Sequence, residues 1–203
     1  GINHGYGRPH ILSLAKRGGI SWVRDWSLKW HDVEPEEGRF DFSRTDVEIS
    51  RMSRQSMPVL GLLPFPSTPW STAAKVSTDD RSYDARRAKV AAAPRDPDAF
   101  CRYVRQTVMH YSKQISAWQI FNEPLTTSYS LPRRDGYTSS DYAYWARQAW
   151  ETVKAADPTA EVLIGFAGLT GNILSEFEGI FKEGALDRCD AVTVHCYPRV
   201  IPP

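Results

Sequence analysis

Short runs of apolar and β-branched residues alternate along the chain with longer stretches whose apolar positions recur at three- and four-residue spacing. That alternation predicts βαβ units and a parallel sheet. Gly1–Gly7 reads as the loop leaving a first strand whose body is missing. Arg8–Arg17 has helical spacing at Ile11, Leu12, Leu14 and Ala15, and Gly18-Gly19 stops it. Ile20–Trp26 is the next strand. Ser43–Asp46 has the form of an S-x-x-D capping box opening a helix to about Gln55. Pro58–Leu63 is a continuous apolar run, as expected of a strand buried on both faces. The polar stretch from about Phe65 to Arg95 predicts a long functional loop. A helix over about Asp98–Lys113 places Phe100, Tyr103, Val104, Val108 and Tyr111 near one face. Strands at Ala117–Phe121, Glu161–Phe166 and Ala191–His195 are separated by helices at Ser139–Ala156 and about Asn172–Gly184.

With the strand before Gly1, this makes six strands in a single domain over residues 1–203, with no repeat and no low-complexity tract. A doubly wound sheet is the rival architecture, but Gly5-Tyr6-Gly7 lacks the third glycine of a phosphate-binding turn. The favoured fold is α/β, a (β/α)8 TIM barrel lacking the start of its first unit and its last two units. Its 203 residues fall short of the roughly 250 typical of eight units.

Bulk properties narrow the function. With 41% hydrophobic and 24% charged residues the chain can build one sizeable core. A net charge of +1, with no basic run, argues against a nucleic-acid partner. No stretch approaches the roughly 20 apolar residues of a membrane span. Gly1 leads straight into loop-like sequence with no charged-then-apolar leader, so a secreted or periplasmic location stays open. Cys101, Cys189 and Cys196 fit neither a disulfide framework nor a zinc pattern and are read as buried free thiols. Seven Trp and nine Tyr exceed what a core needs, and both side chains stack on the apolar faces of sugar rings.

A parallel barrel carries its active site at the carboxyl ends of the strands. Here the second strand ends in Arg24-Asp25-Trp26, the fourth in Asn122-Glu123-Pro124 and the sixth in His195-Cys196-Tyr197-Pro198. Folding alone does not account for this concentration, because each charged group must be desolvated or paired there. Glu123, beside Phe121 and followed by Pro124, is placed to hold a proton near neutral pH, as a general acid must. Asn122 offers a donor and an acceptor to a sugar hydroxyl. The structural alternative for Asn-Glu-Pro is a helix-initiating turn.

Trp118–Pro124 (WQIFNEP) resembles the fourth-strand motif of clan A glycoside hydrolases, in which the Glu is the acid/base. Trp30 and Glu34–Asp46 (EPEEGRFDFSRTD) resemble the segment after the second strand in that clan, where families 39, 10, 42 and 5 carry related forms. His195-Cys196-Tyr197 is similar to the clan's sixth-strand His-x-Tyr. The resemblance spans nearly the whole chain. It implies retaining hydrolysis of O-glycosidic bonds in a plant- or microbe-type carbohydrate, without cofactor or metal. Two carboxyl groups about 5–5.5 Å apart do that chemistry. By the resemblance Glu123 protonates the leaving oxygen and then deprotonates water, and Asn122 binds the 2-hydroxyl. Tyr197 bonds the nucleophile, His195 lines the sugar site and Arg24 helps to hold the nucleophile charged. Trp26, Trp30 and Trp70 are the candidates for sugar stacking.

The sequence departs from the clan in one respect. The nucleophilic Glu belongs at the end of a seventh strand, and this sequence stops after the sixth. Asp25 is no substitute, because alternation points it away from the face that Arg24 occupies. Glu176, Glu178 and Glu183 fall on the solvated face of a helix. A non-catalytic carbohydrate-binding protein on a degraded barrel is therefore the alternative function. A metal hydrolase using His4, His10, His31 or His195 lacks H-x-H and H-E-x-x-H, and no G-x-S-x-G marks a serine hydrolase. The sugar, the linkage and the oligomeric state are not legible.

Overall fold

A computed structural model describes residues 1–3, 8–63, 70–74, 79–125, 129–167 and 173–195. Among the described residues six parallel strands run in the order of the chain: β1 (Ile2–Asn3), β2 (Val23–Asp25), β3 (Val59–Leu63), β4 (Ile115–Ile120), β5 (Glu161–Ala167) and β6 (Ala191–His195). A doubly wound sheet reverses its strand order at a switch point. This one never reverses, so it is the arc of a singly wound barrel. Helices α1 (Pro9–Arg17), α2 (Trp30–Val33), α3 (Ser43–Arg54), α4 (Tyr83–Ala91), α5 (Pro97–Tyr111), α6 (Ser139–Ala156) and α7 (Ile173–Lys182) lie in the crossovers.

The register assigns each strand residue to a face. Arg24, Leu60 and Ala117 stand side by side in one row, and Leu62, Gln119, Leu163 and Ala191 form the next row on that same inner face. Asp25, Gly61, Trp118 and Val162 share the opposite, helix-covered face. There Trp118 and Val162 are fully buried with Val104 and Val108 of α5 in the core. Gly61 makes room for that layer, since a Cβ on it would stand 2.7 Å from the Trp118 ring. Val192 and Val194, on edge strand β6, remain partly exposed.

Several elements differ from the sequence reading. Part of the first strand is present, because Ile2 and Asn3 pair with Val23 and Arg24. Within the stretch read as one long loop, α4 forms, capped by Ser82, whose hydroxyl accepts from the Ala85 N–H. The expected capping box at Ser43 is absent: the Asp41 carboxylate takes the Ser43 N–H, and Asp46 instead accepts from the Tyr111 hydroxyl at 3.0 Å. A true box forms at α6, where Thr138 and Asp141 cap each other. Glu176 is no solvated residue but pairs with Arg133 across the α6 entry. Cys101 and Cys189 are free thiols, only partly buried, and Cys196 lies outside the described residues. The predicted face of α5 is correct in full, with all five apolar residues buried.

Candidate active site

The site grows from the ends of β2, β4 and β6. Arg24 is buried on the inner face, where its guanidinium donates to three amide oxygens. Nε reaches Gln119 Oε1 at 2.7 Å, Nη2 reaches Asn122 Oδ1 at 2.8 Å, and Nη1 reaches Asn3 Oδ1 at 3.3 Å. With its oxygen held by Arg24, Asn122 keeps its NH2 as the end that donates. The chemical role of that amide is thus set by a neighbour from another strand.

After Ile120 the chain leaves β4 in a turn that is strained. Phe121, Glu123 and Leu125 all have positive φ (59°, 46° and 66°), a region that costs a non-glycine residue about 1–3 kcal/mol. Bonds on every side hold the turn. Phe121 N–H donates to Leu63 O at 2.6 Å, Gln119 Nε2 donates to Phe121 O at 2.9 Å, and Asn122 N–H donates to Ser130 Oγ at 3.3 Å. Leu125 N–H closes the loop on Ser130 O at 3.1 Å.

That turn carries Glu123 onto His195 of β6, with Oε1 2.7 Å from Nδ1. Both side chains are largely shielded from solvent, at 9% and 16% exposure. When Nδ1 holds the imidazole proton it donates to Oε1, leaving Oε2 as the oxygen that can carry a transferable proton. His195 therefore does more than line a pocket. Asp25 faces the other way, as alternation predicts: its Oδ2 accepts from Ser27 N–H and from Ser27 Oγ. Burial pushes the Asp25 carboxyl up, against the opposing pull of those Ser27 bonds.

The three tryptophans part company. Trp26, half-buried, lies beside the site: the Arg24 guanidinium sits 5.0 Å over its ring, its Nε1 donates to Asn3 Oδ1, and Tyr129 meets it edge to face. Trp30 is fully buried, stacked 5.0 Å from Tyr103, with its Nε1 donating to Glu34. With both faces covered it is a core residue and no sugar platform. Trp70 packs edge to face on Trp30 and belongs to that same aromatic cluster. Much of the aromatic excess is therefore core, since Trp118, Tyr103, Tyr111 and Tyr142 are buried as well. Tyr197 and His4 lie outside the described residues.

Gln119, Asn3 and Ser130 are the site residues that sequence reading missed. Gln119 carries a usable signal, being a polar residue on the inward parity of β4, where Ile115 and Ala117 are apolar. Asn3 lay in a segment read as loop, and nothing in the sequence marks Ser130.

The fold agrees with what the chain resembles. The family model described as glycosyl hydrolase family 10 matches residues 10–165. A family 39 glycoside hydrolase from the gut symbiont Bacteroides cellulosilyticus WH2 superposes with TM-score 0.67 at 17% identity, over 98% of this chain and 38% of that one. Xylanase B from Clostridium stercorarium F9 gives 0.65 at 15%, over 100% and 62%. A glycosylated endo-β-1,4-xylanase of family 10 from Gloeophyllum trabeum gives 0.60 at 16%, over 100% and 63%. The chain thus spans between about two fifths and two thirds of the length of these structures. With more than half of its residues matched by the family model, this chain belongs to glycosyl hydrolase family 10.

Proposed function

We propose that this domain hydrolyses O-glycosidic bonds of a carbohydrate by a retaining double displacement, with Glu123 as acid/base. The observation that carries the reading is the Glu123–His195 contact at the strand ends, next to an Asn122 amide oriented by Arg24. In the first step Glu123 Oε2 gives its proton to the glycosidic oxygen as the bond from that oxygen to the anomeric carbon breaks. A carboxylate nucleophile forms the new bond to that carbon. In the second step the ionised Glu123 takes a proton from water, which displaces the nucleophile and releases the sugar. Asn122 donates to the sugar 2-hydroxyl oxygen, Arg24 fixes the Asn122 amide, and Trp26 offers an apolar surface to the ring. Asp25 faces the helical layer, so the nucleophile is assigned to a further strand of the natural polypeptide, with Tyr197 as its hydrogen-bond partner.

Several neighbours are named as xylanases, which makes a β-1,4-xylo-oligosaccharide the first substrate to test. The natural polypeptide is expected to turn it over and to gain one glycosyl unit in intact mass with a 2-deoxy-2-fluoro xyloside bearing a good leaving group. Glu123→Gln is expected to slow oligosaccharide turnover by about 10²–10⁴-fold. Turnover without an adduct removes the retaining mechanism. Oligosaccharide binding that survives Glu123→Gln, with no turnover by the unsubstituted protein, makes this a carbohydrate-binding module instead.

A further inference from the structure

We propose that Gln119 is a positioning residue for the acid/base, acting through the backbone of the turn that carries Glu123; this rests on the reading of Glu123 given above. Gln119 is fully buried on the inner face, hydrogen-bonds neither carboxylate nor imidazole among the described residues, and uses both ends of its carboxamide. Oε1 accepts from Arg24 Nε at 2.7 Å, and Nε2 donates to Phe121 O at 2.9 Å. Phe121 is the first of the three positive-φ residues, so its carbonyl sets the direction in which Asn122 and Glu123 leave the strand. The same carboxamide fixes the cation that orients Asn122. One side chain therefore ties the substrate-binding amide and the acid/base turn to a common frame.

Its neighbour on β5 keeps that carboxamide in place. A Cβ on Gly165 would stand 2.3 Å from Gln119 Nε2 and 3.0 Å from Thr193 Oγ1, so the absence of a side chain at Gly165 leaves the volume that Gln119 fills. Gly165 has no positive φ to account for it, and the close approach is the reason for glycine here. The task also selects the residue type. The carboxamide does both at once, its oxygen accepting from the guanidinium and its NH2 donating to the carbonyl. Leucine does neither, and glutamate keeps only the acceptor.

The experiment compares two substrates of the natural polypeptide that share a glycone: a 2,4-dinitrophenyl xyloside, which leaves without protonation, and a xylo-oligosaccharide, which needs it. Glu123→Ala sets the signature of a lost acid/base, in which kcat/KM collapses for the oligosaccharide and holds for the activated glycoside. Azide, which attacks without a general base, then restores kcat. Gln119→Leu is expected to reproduce this split in weaker form, with kcat/KM for the oligosaccharide falling about 10- to 100-fold, the scale of a roughly 1 Å misplacement, and azide raising kcat. The activated substrate shares the Asn122 contact but needs no proton, so its loss should be clearly smaller than that of the oligosaccharide. Gly165→Ala, which displaces Gln119 without removing it, and Gln119→Glu, which keeps its shape, should show the same split and carry the test if Gln119→Leu does not fold. Equal losses on both substrates in the folded variants, or no loss, overturn the positioning role while Glu123→Ala still shows its signature. If Glu123→Ala shows no split, or the unsubstituted protein turns over neither substrate, the acid/base reading falls first and takes the positioning role with it.

Discussion

Arg24 and Asp25 are adjacent in sequence and equally buried, at 5% and 4% exposure, yet they solve the problem of a buried charge in opposite ways. Arg24 faces inward and is satisfied by amide oxygens of Asn3, Gln119 and Asn122, contributed by β1, β4 and the turn beyond β4. Asp25 faces the helical layer and is satisfied by the N–H and hydroxyl of Ser27, two residues away. A distant network fixes the mutual geometry of three chain segments, whereas a local bond fixes only the exit of its own strand. The inner face therefore uses its polar groups to join chain segments around the proposed site. The outer face has polar groups only where the frame tolerates them.

If that division is right, damage to the outer face should cost stability without touching the site. Trp118→Ala is the largest case. The ring is fully buried and fills the space over Gly61. Such truncations cost about 3–5 kcal/mol. Among the described residues the Trp118 indole N–H has no acceptor, and its removal offsets part of that loss. A value nearer 3 than 5 kcal/mol is expected from denaturant unfolding, with oligosaccharide affinity preserved at temperatures where the variant is folded. Arg24→Met tests the other face. It strands the oxygens of Gln119 and Asn122, but it also removes a desolvated cation, so the net loss should be smaller, about 2 kcal/mol. Calorimetry should nonetheless find oligosaccharide binding lost. A variant that binds normally would show that Arg24 belongs to the frame after all.

The same two faces explain what the sequence reveals. Alternation along β2 predicts the opposite orientations of Arg24 and Asp25, and the parity of a strand is a local property. The apolar runs of β3, β5 and β6 are legible for the same reason, as is Glu123 at the end of β4. Contacts between segments are less so. Trp30 reads as a sugar platform until α5 is seen to lay Tyr103 against it. Ser43 and Asp46 read as a capping box until Asp41 and Tyr111 compete for their hydrogen bonds. Helix α4 is rich in Ala and Arg and has a weak apolar pattern, so only its Ser82 cap announces it. The left-handed backbone at Phe121 and Glu123 has no sequence signal at all, because neither is glycine.

Stability against pH sharpens the comparison on the outer face alone. Burial raises the Asp25 carboxyl above its ordinary 3.8, so the folded state holds this proton more tightly than the unfolded chain. The contribution is fully present below 3.8 and is lost as pH rises through the folded value. Asp25→Asn keeps an acceptor for Ser27 and removes the buried charge. It should stabilise the protein by about 1 kcal/mol at neutral pH, with the advantage vanishing in acid. Unfolding series at several pH values read the difference directly, and a variant less stable at neutral pH would mean that the charge itself is structurally required.

Asp190, at the entrance to β6, should give the opposite slope with a smaller amplitude. Its Oδ2 accepts from Lys154 Nζ at 2.8 Å and from Val162 N–H at 2.8 Å, while its own N–H donates to Val162 O at 2.7 Å. Lys154 first, and the Val162 bond after it, hold the carboxyl below 3.8, so this stability is present above that pH and is lost as acid titrates the group in the folded state. The Asp190 side chain is 38% exposed, so solvent screening limits the pair to the range of surface ion pairs. Asp190→Asn should cost about 0.5 kcal/mol at neutral pH, and less in high salt. The two aspartates thus differ in sign because one lost water without gaining a cation and the other gained a cation while keeping water. A double variant whose stability curve flattens at both ends would show that the two contributions are independent, as expected when Asp25 bonds Ser27 while Asp190 bonds Lys154 and Val162.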